Sequence, residues 1–365
     1  MEIAIVGLAG AGKSTVFNTL TRGHAETGGY GGMTVNVGVV KVPDPRLTKL
    51  TALFKPRREV PADVTYVDLP APPPTEGATA NDLPADALAR LRNVDALLHV
   101  VRAFDDPAVP HPSGSVDAWR DLEQLDLELT LADLAVAEKR LEKLQTSGRH
   151  GTPAEREANE REAAVLERIV PGLTAGAPIR DLDLDEDASK AIRGFRFLTE
   201  KPVLVLLNVG ESDLAGAEAL VAALRERYDH RRSMVDALSA RIEMEIGELD
   251  DESAAVFREE LGLTESSLDR IIRLSYRLLG LLSFFTAGPD ETRAWTIHEG
   301  ETSVDAAAAI HRDLARGFIR AEVVAYEDLL ELGSMAEARR HGRLRSEGKT
   351  YRVKDGDVVE ILFNV

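Results

Sequence analysis

The chain has 365 residues, 44% hydrophobic and 29% charged, without an apolar run near the roughly 20 residues of a membrane helix. It therefore reads as two or three globular domains with no membrane partner. A net charge of -18 excludes a long-range pull of the whole chain towards nucleic acid or anionic lipid, so no specific DNA partner is expected. With no cysteine there is no disulfide framework, thiolate metal site or thiol switch, and with no signal-peptide pattern at Met1 to Val6 a cytoplasmic location is expected.

In chain order, short apolar runs at Ile3 to Val6, Val35 to Val42, Asp63 to Asp68 and Ala96 to Val101 predict buried strands of a mostly parallel sheet with helices between them. Gly7 to Thr15 follows the first run and fits G-x-x-x-x-G-K-[ST]. In that context Gly10, Ala11 and Gly12 present backbone N–H groups to a phosphate, and Lys13 reaches the β- and γ-phosphates. Ser14 binds Mg²⁺ and Thr15 completes the loop. Glycines at 7, 10 and 12 fail the spacing G-x-G-x-x-G, which disfavours a dinucleotide-dependent dehydrogenase. Asp68 closes the third run where a Walker B aspartate would hold the hydration shell of Mg²⁺. Asp68-Leu69-Pro70-Ala71 replaces the D-x-x-G of a GTPase switch, which excludes hydrolysis through the usual adjacent glutamine.

From Val116 to about Leu144, Leu122, Leu125, Leu129, Ala132 and Val136 share one helical face. A turn-rich stretch at 147–153 and a second helical segment with Ala158, Ala163, Leu166 and Ile169 complete an antiparallel helical hairpin inserted into the α/β domain. The acidic run 181–187 reads as a solvated helix entry. Strand texture returns at Pro202 to Asn208 and Met234 to Leu238. Asn208-Val209-Gly210-Glu211 stands where a GTPase carries N-K-x-D for guanine. Glu211, one methylene longer than aspartate, and Val209, without the lysine stem that covers the base, disfavour guanine and make adenine plausible. Ser239-Ala240-Arg241 occupies the position of the second base loop.

An apolar helix from Arg270 to Leu282 then leads to a third unit with a strand at Arg293 to Ile297, a capping box Thr302-x-x-Asp305 and a closing strand at Val358 to Phe363, a small α+β domain. Arg339, Arg340, Arg343, Arg345, Lys349, Arg352 and Lys354 meet only Glu347 and Asp355 in sequence, and read either as a solvated face or as a contact for RNA.

The phosphate loop, Asn36 to Leu47, Asn208-x-x-Glu211 with Ile192 to Phe195, Phe285 to Pro289, Arg293 to Ile297, Gly317 to Val323 and Asp355 to Val358 together resemble the YchF family of Obg-related P-loop NTPases, nearly end to end. The resemblance implies a G domain in two parts (1–115 and 196–282), a helical, coiled-coil-like insert (116–195) and a TGS domain of ubiquitin-like β-grasp fold (283–365). It implies Mg²⁺-dependent hydrolysis of ATP in preference to GTP, and association with ribosomes or rRNA through the TGS domain and the insert. It also implies that His111, in the loop after the fourth run, replaces the missing glutamine as the group that orients water. The chain departs from the family pattern at Gly10, where asparagine is usual. The Mg²⁺-binding threonine of switch I aligns with Gly32, leaving Thr34 as its nearest substitute. With neither glutamine nor arginine finger apparent, hydrolysis is expected to be slow. A binding module with little turnover, or an ordinary GTPase, are the alternative readings.

Overall fold

The computed structural model describes residues 1–23, 35–69, 84–146, 152–263 and 265–364; Thr34 and the segment from Pro70 to Asn81 lie outside them. Twelve strands form two sheets: β1 Glu2–Val6, β2 Asn36–Lys41, β3 Arg58–Val60, β4 Asp63–Asp68, β5 Ala96–Ala103, β6 Val203–Val209, β7 Ser233–Leu238, β8 Leu281–Ala287, β9 Glu291–His298, β10 Phe318–Ala325, β11 Arg345–Glu347 and β12 Asp357–Phe363. By packing the chain divides into two compact units, residues 1–38 with 65–271, and 39–64 with 272–365.

The first sheet runs in the order β2-β4-β1-β5-β6-β7, with β4, β1, β5, β6 and β7 mutually parallel. Strand β6 is buried along its whole length and β5 along all but its last residue. Helices cover both faces of such strands, which explains why the sequence shows continuous rather than alternating apolar runs. Parallel order brings the carboxyl ends of β1, β4, β5 and β6 to one edge, where the phosphate loop opens.

Residues 116–195 supply the expected hairpin, helices Ala118–Thr146 and Pro153–Thr174. Leu122, Leu125 and Leu129 of the long helix belong to the core of the sheet, while Ala137 on the same helix joins Val165, Leu166, Ile169 and Phe197 in a second core. One apolar stripe thus serves two cores. Thr152 and Glu155 form a capping box that starts the second helix. Asp185, in the acidic run, caps the next helix by accepting from Ala188 N–H, in keeping with a solvated helix entry. Between the two cores lies the carboxylate of Asp133, wholly buried. It accepts from Leu198 N (3.1 Å), Thr199 N (2.8 Å) and Thr199 Oγ1 (2.9 Å) and pairs with Arg92 Nη1 at 2.9 Å.

In the second unit the order is β11-β10-β12-β8-β9-β3. Antiparallel β8 and β9 lead into helix Ser303–Ile310, and β12 lies parallel to β8 between that hairpin and β10. This is the β-grasp arrangement, with Phe284, Ile297, Ala306, Ala307 and Val323 in its core. The helix expected to reach Leu282 ends at Leu278, because Gly280 takes a left-handed conformation (φ 66°) and Leu281 starts β8. The unit also takes in residues 39–64, which sequence reading assigned to the G domain, and begins at residue 272 rather than 283. Strand β3 extends the sheet parallel to β9. Arg46 fastens this excursion. Its guanidinium reaches Asp44 Oδ2 at 2.9 Å and Asp355 Oδ2 at 2.7 Å and lies 5.2 Å from the centre of the Phe285 ring. Burial opposes its charge, but the hydrogen bonds to Asp44 and Asp355 outweigh burial and hold the guanidinium above its usual pKa.

The arginines of the first part of the basic run are paired within this unit. Arg339 pairs with Glu322, Arg340 with Glu337, Arg343 with Asp328 at 3.8 Å, and Arg345 with Glu347 at 3.0 Å. Glu322 and Asp328 come from outside the run, so a count of charges along the sequence overstates its field. Among the described residues no helix is long and apolar enough to cross a membrane.

Replacing Asp133 by alanine leaves the Arg92 guanidinium and two backbone N–H groups without their acceptor. We expect the first unit to lose about 3 kcal/mol or more, read as a lower urea midpoint at unchanged slope.

Candidate functional site

The loop from Gly7 to Gly12 connects β1 to helix Lys13–Thr21, and two of its glycines are required by close approach. Gly7 has φ 148°, and a Cβ there would stand 2.2 Å from the carbonyl oxygen of Val100 on β5. Gly12 has φ 90°, and a Cβ there would stand 2.4 Å from Asn208 Nδ2. A side chain at either position would collide with the strand ends that hold the loop open.

Asn208, 5% exposed at the end of β6, donates from Nδ2 to Ala11 O (3.0 Å) and accepts at Oδ1 from Ala240 N (3.1 Å). A single amide therefore joins the phosphate loop to the second base loop. Ser239 and Ala240 are buried at the start of helix Ala240–Gly247, beside Asn208. Glu211 is exposed at the start of the 3-10 turn Glu211–Gly216. Val209, a candidate for contact with the base, is instead packed into the sheet core.

Lys13 Nζ donates to Gly7 O and Leu8 O, both at 2.9 Å. Burial pushes its pKa down to about 8, against the attraction of Asp68. Asp68, 2% exposed, accepts from Ser14 Oγ at 3.1 Å and Asn36 Nδ2 at 3.4 Å, both on Oδ2. Its Oδ1 is buried with no partner. Burial raises the pKa of this carboxyl, while Ser14, Asn36 and Lys13 oppose that shift. His99 on β5 is pushed down to about 3, by burial first and then by Lys13 and Arg180, and so stays neutral. A hydroxyl, an unpartnered carboxylate oxygen and a lysine gathered at one loop are hard oxygen donors plus a cation, a set that suits Mg²⁺ bound to a polyphosphate. Thr34, the third expected metal ligand, lies outside the described residues.

His111 is brought close to the loop: it lines one cleft with Leu8, Ala9, Ala11 and Arg102. Both of its ring nitrogens are occupied. Nδ1 accepts from Ser113 N–H at 3.1 Å, so Nε2 carries the proton and donates to Asp121 Oδ2 at 2.7 Å. Arg120 Nη2 binds the other oxygen of Asp121 at 2.8 Å. Sequence reasoning missed Arg102, on β5 and 3% exposed, since a basic residue in an apolar run carries no motif.

Two family descriptions match the chain: "50S ribosome-binding GTPase" over residues 2–141, and the YchF-type carboxy-terminal domain, described as a protein of unknown function (DUF933), over residues 281–364. The chain is 42% identical to the Ribosome-binding ATPase YchF of Bacillus subtilis, with 100% of both chains covered. It is 40% identical to the protein of that name from Escherichia coli O157:H7, over 100% of this chain and 99% of the other. A solved structure titled as the Schizosaccharomyces pombe YchF GTPase superposes with a TM-score of 0.85 at 31% identity, covering 99% of this chain and 97% of that one.

The depressed lysine has a measurable consequence. Between about pH 8 and the ordinary lysine value, the folded ligand-free protein has released the Lys13 proton while the unfolded chain retains it, so this group's contribution to stability rises with pH across that window. A polyphosphate in the loop restores the proton. Nucleotide binding at about pH 9 should take up close to one proton, and at about pH 6.5 almost none from this group. Calorimetric titration in two buffers of different ionisation enthalpy reads that difference directly.

Proposed function

The chain belongs to the YchF family, and from that membership and the geometry of the phosphate loop we propose that it is a Mg²⁺-dependent nucleoside triphosphatase of the cytoplasm that acts with the ribosome, hydrolysing ATP slowly and in preference to GTP. The observation that carries the reading is the gathering of half-buried Lys13 and Ser14 with buried Asp68 at one loop, one carboxylate oxygen being left unpartnered. Phosphate oxygens would take over the donors that Lys13 now gives to Gly7 O and Leu8 O. Gly10, Ala11, Gly12 and Thr15 would supply backbone N–H groups around them. Ser14 and, through water, Asp68 would hold Mg²⁺, which when bound neutralises charge on the β- and γ-phosphates.

For the base, Asn208 is committed to Ala11 and Ala240 and shapes the pocket rather than reading the ring. Discrimination then falls to Glu211, whose carboxylate can accept from the N6 amino group of adenine. Relatives named as ATPases agree with that choice, whereas the fission yeast structure is titled as a GTPase. Ribosome association is carried over from the names of the relatives, with the β-grasp unit and the helical hairpin as the surfaces we assign to it. The ion pairs of Arg339, Arg340, Arg343 and Arg345 would have to open for those arginines to reach RNA phosphates.

Turnover requires His111 to leave Asp121 and face the γ-phosphate side of the loop, where its free nitrogen orients water. The present pairing of both ring nitrogens favours a second reading, a nucleotide-binding module with little hydrolysis until a partner releases the histidine.

Phosphate release from ATP and GTP, with Mg²⁺ and with or without ribosomes, separates these readings when Lys13→Ala serves as the control for contaminating enzymes. We expect Lys13-dependent release that favours ATP. Binding without release above the control leaves the module, and a preference for GTP removes the role given to Glu211. Replacing His111 by alanine should lower turnover by about 100-fold with ATP affinity unchanged. An equal loss of affinity would make the residue a brace for its loop.

A further inference from the structure

Arg102 sits one residue before the end of β5, on the strand that packs against Gly7. It is 3% exposed, and the structure uses its guanidinium unevenly. Nε donates to Phe104 O at 3.1 Å and Nη2 to Asp106 O at 3.4 Å, while the guanidinium carbon lies 4.7 Å from the centre of the Phe104 ring. The third nitrogen, Nη1, is buried with no partner. Among the described residues no carboxylate is paired with this arginine.

A buried guanidinium with an unmade hydrogen bond and no counter-charge is costly, and its persistence needs an explanation. The direction of Nη1 supplies one. A Cβ built on Gly10 would stand 3.3 Å from Nη1 and 3.3 Å from Val109 Cγ1. The free nitrogen therefore ends beside Gly10, at the middle of the phosphate loop. Arginine is always protonated and presents its donors in a rigid fork suited to phosphate oxygens.

We propose that Arg102 is a phosphate-contacting residue supplied in cis, whose Nη1 donates to a terminal phosphate oxygen of a nucleoside triphosphate in the loop. The inference rests on reading Gly7 to Thr15 as a triphosphate site. Its Nε and Nη2 meanwhile hold the carbonyls of Phe104 and Asp106, at the root of the loop that carries His111. Phosphate contact and the position of the His111 loop are thereby joined through one side chain. A positive charge placed there opposes the negative charge that accumulates on the transferring phosphoryl oxygens, the service that an arginine finger performs when a partner protein provides it. Gly10 leaves room for the same geometry, since a Cβ at that position would crowd Nη1.

The test uses the full chain and its Arg102→Gln and Arg102→Lys variants, with affinities measured for ADP, for a non-hydrolysable ATP analogue, and for ADP with aluminium fluoride. In Arg102→Gln, ADP affinity should stay within about twofold. Affinity for the ATP analogue and for the ADP–aluminium fluoride complex should fall by about 10- to 100-fold. Arg102→Lys should recover part of that loss, because it keeps the charge but not the fork. Equal losses for ADP and the ATP analogue, or no loss in either, would overturn the proposal and leave Arg102 as a support for its loop. If Arg102→Gln does not fold, the guanidinium ¹⁵N–¹H signal of Arg102 in the native protein, assigned through Arg102→Lys, should move on adding the ATP analogue and not on adding ADP. A signal indifferent to both, in a protein that binds both, also overturns it. A native protein that binds neither nucleotide rejects the triphosphate site itself, and Arg102's role with it.

Discussion

The contact of Gly7 with Val100 is the constraint on which the site depends. A carbonyl oxygen 2.2 Å from where a Cβ would stand fixes the turn at the end of β1 and presses the phosphate loop against β5. The second close approach, of Gly12 to Asn208, fixes the other end of the loop against β6. With both ends set by strands of one parallel sheet, the intervening backbone has little freedom, and helix Lys13–Thr21 begins where its first N–H groups face the loop interior. The sheet places Asp68 and Arg102, and the loop it anchors delivers Lys13 and Ser14 beside them.

That placement gathers charged groups whose hydrogen bonding is incomplete. Half-buried Lys13 donates only to carbonyls, buried Arg102 has a free nitrogen, and buried Asp68 has a free oxygen. Burial lowers the pKa of Lys13 and raises that of Asp68, against the attraction between the two. The chain is strongly acidic overall, yet it presents two cations at the phosphate loop. The asymmetry is local and comes from packing.

Other buried carboxylates of the first unit are paired within the chain. Asp133 satisfies Arg92 and three donors around Leu198 and Thr199, and so ties the helical hairpin to the segment leading into β6, the strand that carries Asn208. Asp121 is shared between Arg120 and His111 in the same way, and holds the histidine by hydrogen bonding. In the second unit Arg46 closes an equivalent network with Asp44 and Asp355, drawing residues 39–64 into the β-grasp sheet. Paired charges such as Asp133 tie the fold together, while Asp68 and Arg102 each leave an atom unpaired beside the phosphate loop.

Much of this was legible in the amino-acid order because it depends on local chemistry. The phosphate loop announces itself through glycine spacing, the central strands through unbroken apolar runs, the hairpin through a stripe at three-and-four spacing, and one helix start through the capping box at Thr302. What only tertiary structure decided are relations between residues far apart in sequence. Gly280 was needed to end a helix that apolar residues alone would have continued, and β3 joins the second sheet by pairing with β9, more than 200 residues away. Glu322 and Asp328 pair with Arg339 and Arg343 of a basic run that looks uncompensated in one dimension. Arg102 is silent in sequence for the same reason: its meaning lies in a nitrogen left without a partner beside Gly10, and hydrogen-bond satisfaction is a property of the folded surroundings rather than of residue order.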